Sequence, residues 1–253
     1  MFFRSEVYFI LIVFLHSNLS VFGQDQKVAD SLAAIYSQGK TTDSALYELL
    51  LHLSFNEVRD LQLSLNYAEE LIELATRENN YTYIHSGYFQ KGNKKRLLGD
   101  IDEALDAYFK SAEAASSAHD AVGEGNAYGA IADIYSISEN HANAMLYYEK
   151  SIAMLQQAND SIGLASVLLN SGEHFLINEM YDSALTRYQA SEYLFDVLDY
   201  PIGIAYSLGN IGLVHANVGR RDLAEQKITE AIRVLEDNGD YYPICVYLIA
   251  MCE

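Results

Sequence analysis

Tryptophan is absent from this chain of 253 residues, proline and cysteine each occur twice, and 16 basic residues face 35 acidic ones. Each shortage excludes something. Cys245 and Cys252, the two cysteines, cannot build a disulfide framework or a cysteine-rich zinc module. Two prolines and fifteen glycines rule out a collagen-like or Pro/Gly-rich disordered chain. A formal charge of −19 sets the chain against phosphate backbones and anionic lipid, so nucleic acid is not an expected partner. Phosphate loop, nucleophile elbow, zinc-spaced His/Cys cluster and calcium loop are all missing, so no cofactor and no metal are expected. What remains is half apolar and 12% aromatic, with twenty tyrosines, which is the composition of an ordinary folded domain.

Residues 1–23 have the layout of a signal peptide. Arg4 gives a short positive start, Val7 to Leu15 form an apolar run, and Val21-Phe22-Gly23 offers small residues at a cleavage point. The run is too short to span a bilayer comfortably, since a spanning helix needs about 20 apolar residues. An uncleaved N-terminal anchor is the alternative. Removing the segment takes Arg4 and Glu6 together, so the charge stays at −19. The expectation is an exported protein, on the periplasmic or extracytoplasmic side of a bacterial inner membrane.

From Tyr81 onward the chain falls into forty-residue blocks without a gap: 81–120, 121–160, 161–200 and 201–240, with a fifth begun over 241–253. Block position 24 holds Ala104, Ala144, Ala184 and Ala224. Twelve residues earlier stand Gly92, Ala132, Gly172 and Gly212. Position 28 holds Tyr108, Tyr148, Tyr188 and Ile228, and position 31 holds Ser111, Ser151, Ser191 and Ala231. Self-similarity at such a period signals a solenoid of stacked units. Each block has two stretches with apolar positions three and four apart, which predicts two helices. The polar breaks between them are Leu98-Gly99-Asp100, Ser138-Glu139-Asn140, Asn178-Glu179-Met180 and Val218-Gly219-Arg220. Small residues at positions 12 and 24 let the paired helices approach closely, and the aromatic at position 28 is expected to fill space toward the next repeat. Upstream, residues 24–80 read as N-terminal helices and a degenerate first repeat: Asp25 to Tyr36 as a lead-in, then Ala45 to Leu53 and Leu61 to Thr76 as a pair. At the other end Tyr247, Ile249 and Cys252 are expected to lack a partner helix. Residues 241–253 then read either as a cap or as the start of a fifth repeat in a longer protein.

The order small residue, alanine twelve later, then aromatic and small at +4 and +7 resembles the tetratricopeptide repeat (TPR). The forty-residue period is similar to the longer TPR variant, and Asn170-Ser171-Gly172 and Gly209-Asn210-Ile211-Gly212 match its Asn-x-Gly core. The resemblance implies an all-α solenoid of antiparallel helix pairs with a right-handed superhelical twist. It also implies a concave groove, lined by the first helix of each pair, that takes a protein or peptide ligand. Carried over residue by residue, the groove positions are Gln90, Asn93, Asn126, Asp133, Asn170, Glu173 and Asn210. The amides among them could contact a ligand backbone, because a carboxamide both donates and accepts; they could equally tie one repeat to the next. The lysine–asparagine clamp of chaperone-binding TPR domains is not reproduced, since Phe89 stands where its first lysine would be.

Lys91, Lys94, Lys95 and Arg96 are the one basic cluster, readable as a solvated face or as a receptor for an acidic peptide. His215 occupies a core slot. No convergent nucleophile, base or metal set is present, so an enzyme is not expected; Asp133 with Glu173 is the remaining carboxylate pair. The stretch from Gly87 to Leu105 resembles TPR input regions of bacterial membrane signalling proteins, adenylate/guanylate cyclases first, then histidine kinases and LuxR-type regulators. That resemblance implies a sensor or scaffold region whose membrane contact is only through a signal, an anchor or a downstream helix. A free-standing secreted scaffold and a homodimer are the alternatives left open.

Overall fold

A computed structural model describes residues 24–39 and 43–252; the signal-peptide expectation for residues 1–23 lies outside them. Among the described residues there are twelve α-helices and no strand. They divide into two compact units, with the boundary between Ser138 and Glu139.

The first unit holds α1 (Gln26–Tyr36), α2 (Asp43–Asn56), α3 (Leu61–Arg77), α4 (Tyr81–Leu98), α5 (Ile101–Ser117) and α6 (Ala121–Ile137). The second holds α7 (His141–Ala158), α8 (Ser161–Ile177), α9 (Tyr181–Val197), α10 (Pro201–Asn217), α11 (Arg221–Asp237) and α12 (Tyr241–Cys252). Within each unit every helix packs on the one before and the one after it. The further contacts run between even-numbered helices: α2 with α4 and α4 with α6 in the first unit, α8 with α10 and α10 with α12 in the second. Even-numbered helices therefore share one face in each unit.

Turn chemistry sets the length of each helix. Left-handed residues stand every twentieth position, at Asn79, Gly99, His119, Glu139, Asn159, Glu179, Asp199, Gly219 and Gly239, with φ between 50° and 84°. Each ends one helix, since αL geometry turns the backbone away from the helical path and lets orphan carbonyls be met. The next helix opens two residues later, at two of these turns under an acidic cap: Asp120 and Asp160 accept from the backbone N–H of Gly123 and Gly163, as Asp60 does from Leu63 at the start of α3. The breaks expected at 98–100, 138–140, 178–180 and 218–220 all fall at these turns.

Packing explains the repeated slots. Ala104, Ala144 and Ala184 are fully buried, as are Ser111, Ser151 and Ser191. Tyr108 lies over Gly92, where an added Cβ would sit 2.5 Å from the ring, and Tyr188 lies over Gly172 in the same way at 2.7 Å. These rings fill space inside their own helix pair, not toward the next repeat as the sequence led us to expect. Gly92 and Gly172 are thus small because the tyrosine of the partner helix occupies their Cβ position. Serine completes the seam: Ser191 Oγ donates to Ala165 O at 2.8 Å, and Ser111 Oγ to His85 O at 3.1 Å.

α12 also differs from expectation. Tyr247 is wholly buried, its ring over Gly209 of α10, so it does have a partner. Leu248 and Ile249 are about half exposed on the other side of that helix.

Candidate functional site

The even-numbered helices carry the groove candidates in two separate rows, one per unit. In the first unit Gln90 is buried on α4, and its Oε1 has no hydrogen-bond partner among the described residues. Asn93, one turn on, is half-buried and accepts from Tyr108 OH at 2.8 Å. Asn126 on α6 is half-buried and Asp133, on the same helix, is buried. Tyr108 ties these together. Burial pushes its phenol up to about 12, Arg96 opposes through its charge and a hydrogen bond, and Asp133 adds to the rise.

The basic cluster does not form one exposed patch. Lys91 pairs with Glu69 at 2.7 Å, and Lys95 with Glu103 at 2.7 Å and Asp100 at 3.1 Å. Arg96 is buried beside Tyr108, and Lys94 is completely buried. Helix periodicity explains the split: positions 94 and 96 face the packed neighbours, while 91 and 95 lie one turn apart at the edge.

In the second unit Asn170 and Glu173 on α8 and Asn210 on α10 are all buried. Tyr247 OH approaches Asn210 Oδ1 at 3.3 Å and Tyr206 O at 3.4 Å. Asn210 Nδ2 is buried with no hydrogen-bond partner among the described residues. Burial first, then Tyr206, Glu173 and Asp240, push the Tyr247 phenol well above its usual range. Burial and Glu173 raise Tyr242 likewise. Tyr206 OH donates to Asp240 Oδ2 at 2.6 Å. The row is therefore extended by Tyr206, Tyr242, Tyr247 and Asp240, none of which stood among the sequence candidates. Gly209 was the available signal: a glycine beside Asn210 leaves room for one large side chain from the following helix. Asp133 belongs to the first unit and Glu173 to the second.

One further cluster has the residue types of nucleophilic catalysis. Ser111 Oγ lies 2.8 Å from His85 Nδ1, and Asp120 acts on the same imidazole. Ser111 is fully buried, and Ser191 occupies its slot and makes the equivalent bond to Ala165 O with no histidine present. The hydroxyl is a seam between helices. His215 is half-buried, its imidazole pushed down by burial and by the charges of Arg220 and Lys227. Among the described residues no three His, Cys, Asp or Glu side chains are grouped to hold a metal ion.

Comparisons with known proteins agree on the architecture. A tetratricopeptide repeat family model matches residues 83–157. The crystal structure of BtubC (BKLC) from P. vanneervenii superposes with a TM-score of 0.68 at 16% identity, covering 86% of this chain and 91% of that one. The crystal structure of aspartyl phosphate phosphatase F from Bacillus subtilis gives 0.69 at 12% identity, over 87% of this chain and 58% of that one. No protein with a curated description matches the chain. At such identities the two structures speak for the fold alone. The family model thus identifies tetratricopeptide repeats over residues 83–157, and helices paired in the same way, with the same repeated slots, continue on either side of that stretch.

Proposed function

We propose that this chain is a non-catalytic interaction region that takes a protein or peptide ligand on its even-numbered helices. We place it as the extracytoplasmic sensor or scaffold part of a larger signal-transduction protein of adenylate/guanylate cyclase type. Tetratricopeptide repeats support protein–protein interaction in general. The observation that carries the reading is the concentration of amide and carboxyl side chains on α4, α6, α8 and α10. Gln90 Oε1 and Asn210 Nδ2, without hydrogen-bond partners among the described residues, supply an acceptor and a donor from rigid helices, the two functions that recognition of an extended backbone uses. The charge of −19 favours a partner with basic segments and speeds its encounter. The signal-like residues 1–23 support export, and the likeness of 87–105 to bacterial input regions supports the signalling assignment. A free-standing exported scaffold is the second reading.

Three measurements test this. An alkaline phosphatase fusion after residue 23 is active only if the leader exports it; an inactive fusion removes the extracytoplasmic placement. Reading the coding sequence past Glu253 separates the two forms: an apolar run of about 20 residues before a catalytic domain supports the sensor, and an early stop codon sinks it. Asn170→Ala and Asn210→Ala, folded by circular dichroism, are expected to weaken a captured ligand by about tenfold each. Unchanged affinity in both would move the ligand off the even-numbered helices.

A further inference from the structure

Lys94 is the most buried charged side chain among the described residues, at 0% exposure. It lies on α4, and among the described residues its Nζ has one hydrogen bond, to Phe55 O at the C-terminal end of α2, at 3.5 Å. An ammonium carries three donors, so most of its hydrogen-bonding capacity goes unmet in a site closed to water. The nearby carboxylate is already engaged. Glu57 Oε1 accepts from the backbone N–H groups of Arg59 and Asp60, and Oε2 accepts from Gln26 Nε2. Glu57 thereby holds α1 and the α2–α3 turn while offering Lys94 only its field.

We propose that Lys94 is a protonation-dependent latch between α4 and the end of α2, so that α2, with α1 packed on it, holds more firmly on α4 once the amine is neutral. The elements packed on α4 bear several charged groups: Glu48 and Glu57 at α2, Glu69 and Glu70 on α3, Asp106 and Lys110 on α5, Asp133 on α6. Glu48, Glu69, Glu70 and Asp106 are bound to Tyr83, Lys91, Tyr36 and Lys110. Glu57 is the charge that acts on Lys94, and it favours the ammonium. Burial acts the other way and prevails, bringing the amine from 10.5 down to about 8.

The sign of the linkage follows. Between pH 8 and 10.5 the unfolded chain keeps on Lys94 a proton that the folded chain has released, so the Lys94 contribution to stability rises with pH through that window. Below pH 8 both states are charged and the full cost of the buried ammonium is present. Tyr36, Tyr83 and Tyr108, each raised from 10.0 to about 12, stay protonated in the folded chain while their unfolded phenols begin to ionise, an opposing contribution at the top of the window that wild type and Lys94→Met share.

The test uses the full chain under reducing conditions. Lysine side chains labelled at Cε are titrated by NMR, and urea unfolding is followed from pH 7 to 10 in wild type and Lys94→Met. The Lys94 resonance is expected to move with a midpoint near 8. The folding equilibrium constant should rise on the order of 50-fold more in wild type than in Lys94→Met. Amide exchange at Leu53 to Asn56, corrected for intrinsic rates, should slow across the same window in wild type alone. A midpoint at the ordinary lysine value, or equal pH slopes in the two proteins, overturns the latch. If Lys94→Met fails to fold, Lys94→Gln replaces it, and the wild-type titration decides by itself.

Discussion

At the level of single residues, the repeated left-handed position is the most informative feature. Gly99, Gly219 and Gly239 meet it without cost, while Glu139, Glu179, His119 and Asp199 hold φ of 50° to 59° with a Cβ attached. An L-residue in αL costs roughly 1–2 kcal/mol, partly offset by the extra freedom glycine has when unfolded. Glu179→Gly is therefore expected to stabilise the second unit by about 0.5–1 kcal/mol, read as a raised midpoint in thermal or urea unfolding. Gly219→Ala should do the reverse by a similar amount. A fall in stability for Glu179→Gly would mean that the glutamate side chain holds something its exposed position does not reveal.

Elements are held together by substitutions that answer one another across a helix pair. Gly209 and Tyr247 are such a couple: a methyl at 209 would fall within the Tyr247 ring. Gly209→Ala should destabilise α12 by about 1–3 kcal/mol through overpacking. Combining it with Tyr247→Leu should recover part of that loss, since contacting sites are not additive; full additivity would show that the two side chains do not meet. His85 is the equivalent point between α4 and α5. Burial lowers its imidazole, outweighing the hydrogen bond to Ser111 O and the charge of Asp120. Its folded value thus lies below that of the unfolded chain, so the unfolded state binds more protons between the two. Stability should fall as pH drops below the ordinary histidine value of 6.5. His85→Gln is expected to flatten that part of the pH profile; an unchanged slope would assign it to carboxylates instead.

For the molecule as a whole, the excess of 35 acidic over 16 basic residues matters more than any one ion pair. Those pairs are mostly exposed and contribute little each. Self-repulsion at −19 is screened over about 10 Å in 0.1 M salt. The melting temperature is accordingly expected to rise by a few degrees between low-salt buffer and 0.15 M sodium chloride. A flat response would mean that the acidic residues are spaced beyond each other's reach. The same charge makes a basic partner's association rate fall with salt, which a stopped-flow series on any captured ligand would measure.

Sequence alone determined the helix pairs and where they break, because helix periodicity and turn chemistry are local and recur every forty residues. Ala104, Ala144 and Ala184 could be placed in the seam without coordinates for the same reason. The even-numbered helices could likewise be named as the candidate binding helices. Tertiary structure decided what each of these positions touches. Tyr108 and Tyr188 fill their own pairs, a choice between two neighbours that spacing cannot make. Tyr247 joins Asn210 because Gly209 leaves its ring room, a match between residues almost forty apart in the chain. The basic run 91–96 reads as one cluster in sequence. Packing splits it, pairing Lys91 and Lys95 at the edge and burying Lys94 and Arg96. Charge is counted along the chain, whereas its cost depends on how much water each group keeps, and that is a property of the assembled helices.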